Sequence, residues 1–318
     1  MPTIETVRGA VDAASLGRAL AHEHVFVVAP ETLANFNHHW GAAWWDEDAG
    51  VRDGIGKLQA VVDAGIDAIV DPTGIGMGRD VRRLQRVNES VDLHFVVCTG
   101  VYAFLELPTF LKYRSSEDLA ALFVREIREG IDDTGVRAAF IKCAVEELGI
   151  IGDVPTILAA CAAASVETGA PVMVHTNAAA RTGLPALETL TAAGVEPSRI
   201  VIAHAGDSND LDYLRRIADT GAVLGFDRFN IPAFNSDADR MRTLISLLAE
   251  GYVEQIHLSH DTACFYDFMT GNPIFAGAEL NYLHISTAIL PGLLEQGVAQ
   301  QQIDEMMIAN PRRFFASA

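Results

Sequence analysis

Two histidines interrupt an otherwise apolar run near the start of the chain, in LAHEHVFVV at residues 20–28. If this run is a β-strand, alternation turns His22 and His24 toward one face, about 6.6 Å apart along the chain. Imidazole nitrogens at that spacing can converge on one metal ion. The alternative is a pair of core histidines with hydrogen-bonded nitrogens, and an isolated His-x-His pair does not decide between the two.

Four later apolar runs also end on residues that bind metals or move protons. The runs are AFIK, PVMVH, IVIAH and IHLSHD, and their last residues are Lys142, His175, His204 and Asp261. Nitrogen and oxygen donors of this kind suit zinc and its first-row neighbours. If the ends of these runs meet in the fold, all six side chains surround one region.

Lys142 is the unusual member of this set. An ammonium in an apolar interior costs several kcal/mol unless it is paired, and a cation repels a neighbouring metal ion. A lysine amine that has added carbon dioxide is instead an anionic carbamate, whose two oxygens can bridge two metals. The alternative is an ammonium that reaches solvent at the strand end or pairs with a carboxylate such as Glu146.

These residues can meet only if the elements that carry them converge. Strand-like apolar runs alternate with amphipathic helical segments and lie at residues 22–27, 67–71, 93–100, 138–145, 171–176, 199–205, 222–227 and 255–261. Near-continuous apolar strands separated by helices predict parallel strands covered on both faces, and eight such units close a (β/α)8 TIM barrel. The carboxyl ends of the strands then form the floor of an active site. An open doubly wound sheet is the alternative, although no Gly-rich dinucleotide fingerprint follows the first strand.

A short N-terminal hairpin is predicted ahead of the barrel, from strands around residues 4–7 and 15–20. The chain has no low-complexity stretch, no Pro/Ser-rich linker and no short strict repeat. Residues 1–318 are therefore predicted to form a single α/β barrel domain.

The composition restricts partners and location. Lys and Arg number 23 and Asp and Glu 42, a formal net charge of −19, which repels phosphate backbones and anionic lipid. No secretory signal pattern opens the chain, and no apolar run reaches the length of a membrane span. The four cysteines form no C-x-x-C pair and indicate a reducing compartment. Nucleic acid and membranes are therefore not expected as partners, and a cytoplasmic location is predicted.

The candidate ligands and their order resemble those of the phosphotriesterase family, within the amidohydrolase superfamily of metal-dependent hydrolases. The shared motifs are HEHVF, the lysine in FIKCA, the histidines in VMVHT and VIAHAGD, and the aspartate in LSHD, and the similarity continues to NPRRFF. The resemblance implies two divalent metal ions per chain, zinc in the first place and otherwise cobalt, iron or manganese. It also implies a homodimer.

The same resemblance divides the ligands between two metals. The more buried metal takes His22, His24 and Asp261, the more exposed metal takes His175 and His204, and both share the carboxylated Lys142 and a bridging hydroxide. Coordination lowers the pKa of water from about 15.7 to about 7, which supplies a nucleophile at neutral pH. Asp261 is expected to accept or relay the proton of that hydroxide.

Two further residues resemble the lactonase branch of the family rather than its organophosphate specialists. Tyr102 lies in TGVYAFLELP and Arg228 in FDRF, where the specialists carry a tryptophan and a histidine. The resemblance implies a lactonase that opens N-acyl homoserine lactones or related γ- and δ-lactones, and hence quorum quenching, with weak phosphotriesterase activity. Tyr102 would assist the attacking or leaving oxygen, and Arg228 would fix the loop that receives an acyl chain. The alternatives are a pocket-wall aromatic and a solvated loop charge.

Other functions remain open: a phosphotriesterase (aryldialkylphosphatase), an amidase or esterase of the same family, or a non-catalytic metal-binding scaffold. Two departures from the lactonase pattern, Thr262 in place of a tyrosine and Phe268 in place of a tryptophan, leave the acyl-chain preference open. Five aromatic residues would either line an apolar pocket or pack in the protein interior. They are Phe229, Phe265, Phe268, Trp44 and Trp45.

The remaining histidines are predicted to be structural or exposed. His38 and His39 lie in a polar loop, and His260 is expected to point away from Asp261 by strand alternation. His257 shares the face of Asp261 but lies four residues earlier, which places it in the barrel interior or base.

Overall fold

A computed structural model describes residues 1–39, 45–267 and 280–316 of the chain. Trp44 and Phe268, two of the aromatic residues considered above, lie outside these ranges. In the described ranges the parallel strands form an eight-stranded sheet that is nearly closed, with helices between the strands. The predicted (β/α)8 TIM barrel is therefore confirmed.

An antiparallel hairpin precedes the barrel, but its second strand lies earlier than predicted. β1 (Thr3–Thr6) pairs with β2 (Gly9–Asp12), so the expected second strand at residues 15–20 was wrong. Two residues form the turn, and Gly9 follows them with a φ of 101°, a left-handed conformation that favours glycine. The hydroxyl of Thr6 donates to the carbonyl of Gly9 at 2.7 Å. The turn, rather than the apolar pattern, thus sets the register.

Eight parallel strands build the barrel, and their order around it follows the chain. They are β3 (Ala19–Leu20), β5 (Ala68–Asp71), β6 (His94–Gly100), β7 (Phe140–Val145), β8 (Val172–Thr176), β9 (Ile200–Ala203), β10 (Val223–Phe226) and β11 (Ile256–Leu258). The amide of Ala21 donates to the carbonyl of Leu258 at 3.3 Å, and the amide of His22 donates to the hydroxyl of Ser259 at 2.9 Å. These two contacts join the first strand to the last.

The first barrel strand differs most from its prediction. The strand expected at residues 22–27 was wrong in its bounds, because β3 ends two residues before His22. His22 and His24 lie beyond that end in irregular backbone, and β4 (Phe26–Val27) pairs with β12 (Phe265–Tyr266) in a separate two-stranded sheet. Buried strands and buried extended connections share the same apolar pattern, so the sequence alone could not separate them.

Helices cover the outside of the barrel. They are α1 (Glu47–Asp63), α2 (Val81–Asn88), α3 (Thr109–Lys112), α4 (Ser116–Arg128), α5 (Val154–Thr168), α6 (Gly183–Ala192), α7 (Leu211–Ala218), α8 (Asp237–Ala249), α9 (Leu290–Glu295), α10 (Gln300–Asp304) and α11 (Asn310–Phe315). The carboxylates of Asp80 and Asp210 accept hydrogen bonds from amides in the first turns of α2 and α7. α4, α7 and α8 end shortly before Gly130, Gly221 and Gly251, whose positive φ values favour glycine after a helix.

Apolar side chains fill both the barrel interior and the space between strands and helices. At the base of the barrel, the ring of His257 packs against Phe314 and Phe315, with centroids 5.4 and 6.1 Å away. His257 is buried there, in agreement with its predicted position. All four cysteines are buried and free. Within the described ranges, no helix combines the length and apolar character needed to cross a membrane.

Candidate active site

The carboxyl ends of the barrel strands surround a cavity of about 420 Å³. Five of the six predicted metal ligands line this cavity, and the sixth, His204, is fully buried beside His175. The five are His22, His24, Lys142, His175 and Asp261. The barrel therefore brings together all six side chains that the sequence singled out.

Two histidines and a carboxylate from opposite ends of the chain form a candidate metal site. Nε2 of His22 lies 3.5 Å, and Nε2 of His24 lies 3.3 Å, from Oδ1 of Asp261. One donor atom from each of the three residues lies within 4.8 Å of the others. The opposite ring nitrogens are held by the protein, since Nδ1 of His22 lies 2.9 Å from Asp227 and Nδ1 of His24 lies 2.7 Å from the hydroxyl of Thr73. Each ring therefore keeps one nitrogen for a metal.

His175 and His204 form a second pair. Nδ1 of His175 lies 2.8 Å from Nε2 of His204, and Nδ1 of His204 lies 2.9 Å from Asp227. One carboxylate thus holds a nitrogen of His22 and a nitrogen of His204. His204 and Asp261 have positive φ values of 65° and 56°, which non-glycine residues adopt at a cost and chiefly at constrained functional sites.

Lys142 lies inside the barrel beside the first site. Its side chain is 1 % exposed, and its Nζ lies 3.4 Å from Nε2 of His22. Among the described residues no carboxylate is within ion-pair distance of it, so the alternatives of a solvated ammonium and of a pair with Glu146 were wrong. Burial lowers the pKa of Lys142, which favours the uncharged amine.

Burial also determines the protonation of the rings. It lowers the pKa of His22, His175 and His204, which leaves neutral imidazoles with a lone pair for a metal. Burial alone would raise the pKa of Asp261, but its neighbouring side chains, among them the charged Arg228 and the hydrogen-bonded His24, hold it well below its ordinary value. Buried imidazoles around an ionised carboxylate are the donors that zinc and related divalent ions prefer. The residues present therefore fit a metal centre of the predicted kind.

Tyr102 lies at the edge of the cavity beside His175. Its hydroxyl donates to Oε1 of Glu146 at 2.7 Å and lies 3.1 Å from Nδ1 of His175. Burial and the adjacent Glu146 raise the pKa of Tyr102 well above its ordinary value, so the side chain is a neutral phenol. Burial would raise the pKa of Glu146, but hydrogen bonds from His175 and Tyr102 lower it to about 2.

Arg228 lines another part of the cavity, where two carboxylates hold it. Its Nε donates to Oδ2 of Asp261 at 2.9 Å, and a terminal nitrogen donates to Asp207 at 3.2 Å. The fully buried Arg240 donates to the other oxygen of Asp207 at 2.7 Å. The guanidinium carbon of Arg228 also lies 4.2 Å from the centroid of the Phe234 ring. Arg228 thus connects a predicted ligand to the loop after β10, and the alternative of a solvated loop charge was wrong.

The apolar wall of the cavity differs from the one considered in the sequence. Trp45 and Phe265 pack against each other, with ring centroids 4.8 Å apart, and Phe229 is fully buried beneath Arg240. These three aromatics do not line the cavity, so the alternative prediction, that they are packing residues, is confirmed. Phe229 faces α8 because its neighbour Arg228 takes the cavity side. Apolar lining comes instead from Met77, Ile231, Phe234 and Tyr266.

The side chains whose oxygens hold the predicted ligands were not identified as such from the sequence. Asp227 ends the apolar run AVLGFD as Asp261 ends IHLSHD, a signal that would have identified it. Asp227 also forms a potential metal-binding group with His22 and His204, although its oxygens already contact Nδ1 of both rings. Thr73 carried no such signal, because hydroxyl residues are common after strands. Glu146 was considered only as a partner of Lys142.

Comparisons with known proteins agree with this geometry. A sequence model of the phosphotriesterase family matches residues 2–315. A phosphotriesterase homology protein of Mycobacterium tuberculosis is 38 % identical, over 99 % of this chain and 98 % of its own length. An aryldialkylphosphatase of Saccharolobus solfataricus is 33 % identical, over 97 % and 98 % of the two chains. The solved structure of the phosphotriesterase from Mycobacterium tuberculosis matches with a TM-score of 0.94 and 36 % identity over 100 % of both chains.

More distant relatives carry a different activity in their names. An N-acetyltaurine hydrolase of Tetraodon nigroviridis is 26 % identical, over 98 % of this chain and 97 % of its own length. Proteins that are similar to this chain over nearly its whole length are therefore named for different substrates.

Proposed function

The chain belongs to the phosphotriesterase family of metal-dependent hydrolases, and we propose that it is a lactonase. It would open N-acyl homoserine lactones or related γ- and δ-lactones, a quorum-quenching reaction in the first case, and hydrolyse phosphotriesters weakly. The observation that carries the proposal is that Tyr102 and Arg228 line the same cavity as the predicted ligands. These are the two residues in which the sequence resembles lactonases.

The proposed enzyme holds two divalent metal ions, zinc in the first place, with cobalt, iron or manganese as alternatives. One metal would be held by His22, His24 and Asp261, and the other by His175 and His204. Both would share the carboxylated Lys142 as a bridge. When bound, the metals would polarise the substrate carbonyl and lower the pKa of the attacking water.

Carboxylation of Lys142 is supported by the surroundings of its amine. The side chain is buried, lies against His22 and has no carboxylate partner in the described part of the chain. An unpaired ammonium in such a place is costly. A carbamate would replace this cation with an anion that has two acceptor oxygens.

The side chains of the protein would position the substrate and handle protons. Arg228 holds the carboxylate of Asp261 in a fixed orientation, and we assign Asp261 the role of proton acceptor. The oxygen released when a lactone ring opens needs a hydrogen-bond donor, and the neutral phenol of Tyr102 at the cavity edge would turn its proton from Glu146 to that oxygen. The apolar wall would bury the acyl chain, a gain of about 0.8 kcal/mol for each methylene.

Phosphotriester hydrolysis is the second candidate, and it is favoured by the similarity to a protein named aryldialkylphosphatase. Amide hydrolysis is the third candidate, and the more distant N-acetyltaurine hydrolase supports it. A non-catalytic scaffold is not proposed, because members of the family are hydrolases.

A substrate panel distinguishes these candidates. The purified metal-loaded protein would be assayed with an N-acyl homoserine lactone, γ- and δ-lactones that carry alkyl chains, an aryl dialkyl phosphate and an N-acyl amide. We expect kcat/KM for the best lactone to exceed that for the phosphate by several powers of ten, each worth about 1.36 kcal/mol of barrier. A preference for the phosphate or the amide over every lactone would overturn the assignment and leave the metal site untouched.

We also propose that the protein is a single-domain homodimer in the cytoplasm. The dimer is supported by exposed apolar side chains in the segments after β6 and β7, namely Leu105, Phe110, Tyr113, Leu148 and Ile151. These segments are joined, since the amide of Asp153 donates to the carbonyl of Leu105 at 3.0 Å. The reducing location is supported by the four free cysteines. Light scattering should give twice the chain mass of 34.2 kDa, and a mass of one chain would contradict the dimer.

A further inference from the structure

Glu146 directly follows β7 and lines the same cavity as His175 and Tyr102. Its two oxygens have different partners. Oε1 accepts a hydrogen bond from the Tyr102 hydroxyl at 2.7 Å, and Oε2 lies 3.4 Å from Nε2 of His175. One carboxylate thus connects a predicted metal ligand with the residue proposed to assist the leaving oxygen.

The contact with His175 completes a pattern across the four histidines of the site. In the other three rings, the nitrogen that points away from the cluster meets an oxygen of Asp227 or Thr73. His175 uses its nitrogens in the opposite order: Nδ1 lies 2.8 Å from Nε2 of His204, and Nε2 faces Glu146. An oxygen on the outer nitrogen fixes both the orientation and the tautomer of a metal-binding ring.

We propose that Glu146 is a positioning residue for the more exposed metal. It accepts a hydrogen bond from Nε2 of His175, which presents Nδ1 to that metal, and it holds the Tyr102 hydroxyl beside the same atom. This inference rests on the two-metal site of the proposed function. The contacts of Glu146 agree with this role, because Oε1 accepts the hydroxyl proton of Tyr102 and Oε2, 3.4 Å from Nε2 of His175, is left to accept a proton from that ring. Nδ1 of His175 is then left as an acceptor for the metal.

The two carboxylates that hold the rings differ in burial. The side chain of Glu146 is 44 % exposed, and that of Asp227 is 2 % exposed. Replacing a half-exposed carboxylate leaves no buried charge unpaired in the core, so the barrel is expected to fold without Glu146. The expected loss is therefore local and falls on the ligand that Glu146 holds.

A metal titration tests this role without reliance on turnover. Wild-type protein, Glu146→Ala, Glu146→Gln and the control Glu147→Gln would be stripped of metal and titrated with Zn²⁺ against a chromophoric chelator. Glu147 is exposed and does not belong to the cavity lining, so its variant controls for the loss of one nearby charge. We expect the second dissociation constant to rise roughly 10- to 100-fold in Glu146→Ala, with the first constant unchanged. Glu146→Gln should show a smaller rise, because its amide oxygen still accepts one hydrogen bond.

Equal weakening of both metals, or an unchanged second constant in Glu146→Ala, would overturn the proposal. If that variant does not fold, the comparison of Glu146→Gln with Glu147→Gln decides, and equal second constants would then overturn it. A wild-type protein that binds fewer than two metals instead contradicts the proposed function, so the two failures are distinguishable.

A double-mutant cycle tests the contact with Tyr102. At saturating metal, Glu146→Gln is expected to lower kcat for a lactone in the wild-type background and to have little further effect in Tyr102→Phe, because the two side chains act through one hydrogen bond. Additive effects of Glu146→Gln and Tyr102→Phe would show that Glu146 does not act through the tyrosine.

Discussion

Both ends of the barrel bury histidines, yet their surroundings differ. At the carboxyl ends of the strands, His22 and His204 each have one nitrogen against Asp227 and the other directed into the cluster of predicted ligands. At the base, His257 packs against two phenylalanines of α11, and in the described part of the chain no side-chain oxygen is hydrogen-bonded to either of its ring nitrogens.

Burial by itself therefore does not identify a metal ligand. An oxygen behind the ring fixes its tautomer and directs the free nitrogen, as Asp227 does for two histidines. His257 has no such side-chain oxygen, and burial lowers its pKa to about 4, so the ring stays neutral and packs against the phenylalanines. Substitutions at the two ends should therefore affect different properties.

The largest effect is expected at the centre of the polar end, from Lys142→Ala. Loss of the proposed bridge should deplete both metals and lower kcat/KM for lactones by three powers of ten or more, at least about 4 kcal/mol of barrier. Elemental analysis and lactone kinetics measure the two losses. A short-chain carboxylic acid should restore part of both, because its oxygens replace those of the carbamate. A variant that keeps its metals and its rate would exclude the bridge.

Asp227→Asn should have the next largest effect, since one carboxylate orients two rings. We expect the affinity for each of the two metals to fall roughly 10- to 100-fold, whereas Glu146→Ala should affect one metal. Chelator competition measures both constants. Asp212→Asn, at an exposed position, is the control and should leave both unchanged. Weakening of a single metal in Asp227→Asn would show that the carboxylate does not serve both rings.

Tyr102→Phe should lower lactone turnover without a large loss of metal. Removing one donor from the leaving oxygen is expected to reduce kcat/KM for lactones by about 100-fold and to affect the phosphotriester less, because the interaction belongs to the lactone transition state. Arg228→His should shift the ratio further toward phosphotriesters. Parallel kinetics on both substrates measure the ratio, with Tyr252→Phe as control, because the Tyr252 hydroxyl donates to Asp219 outside the cavity. Equal losses on both substrates would remove the lactone-specific role of Tyr102.

The smallest effect is expected at the base, where His257→Leu should change acid stability and leave catalysis unaltered. A histidine with an ordinary pKa of 6.5 in the unfolded chain and of about 4 in the fold binds its proton first in the unfolded state. Its contribution to stability is therefore complete above pH 6.5 and is lost as the pH falls toward 4. Between pH 7.5 and pH 5 the wild type should lose about 2 kcal/mol more unfolding free energy than His257→Leu.

Denaturant unfolding at the two pH values measures this difference. The exposed His38→Gln is the control and should keep the pH dependence of the wild type. Parallel stability curves for wild type and His257→Leu would show that the base histidine does not titrate in this way.

The sequence was most informative where local pattern and chemistry coincide. His175 lies near the carboxyl end of β8 and His204 directly follows β9, and the parallel strands of a barrel bring their carboxyl ends together, so the convergence of the two rings could be predicted. The pattern failed where several buried conformations share one composition. The second strand of the hairpin, for example, is set by the left-handed Gly9 rather than by apolar alternation.

The barrel and the six candidate ligands could be predicted because strand and helix periodicity and donor chemistry are properties of short stretches of sequence. Which oxygens hold the rings and which side chains line the cavity depends instead on contacts between distant parts of the chain. Asp227 is 205 residues from His22, and Thr73 is 49 residues from His24, so no local pattern links the members of either pair. Arg228 and Phe229 are adjacent in the chain, yet the first enters the cavity and the second packs beneath α8. Side-chain direction at such positions depends on what packs around it, and that is a property of the whole fold.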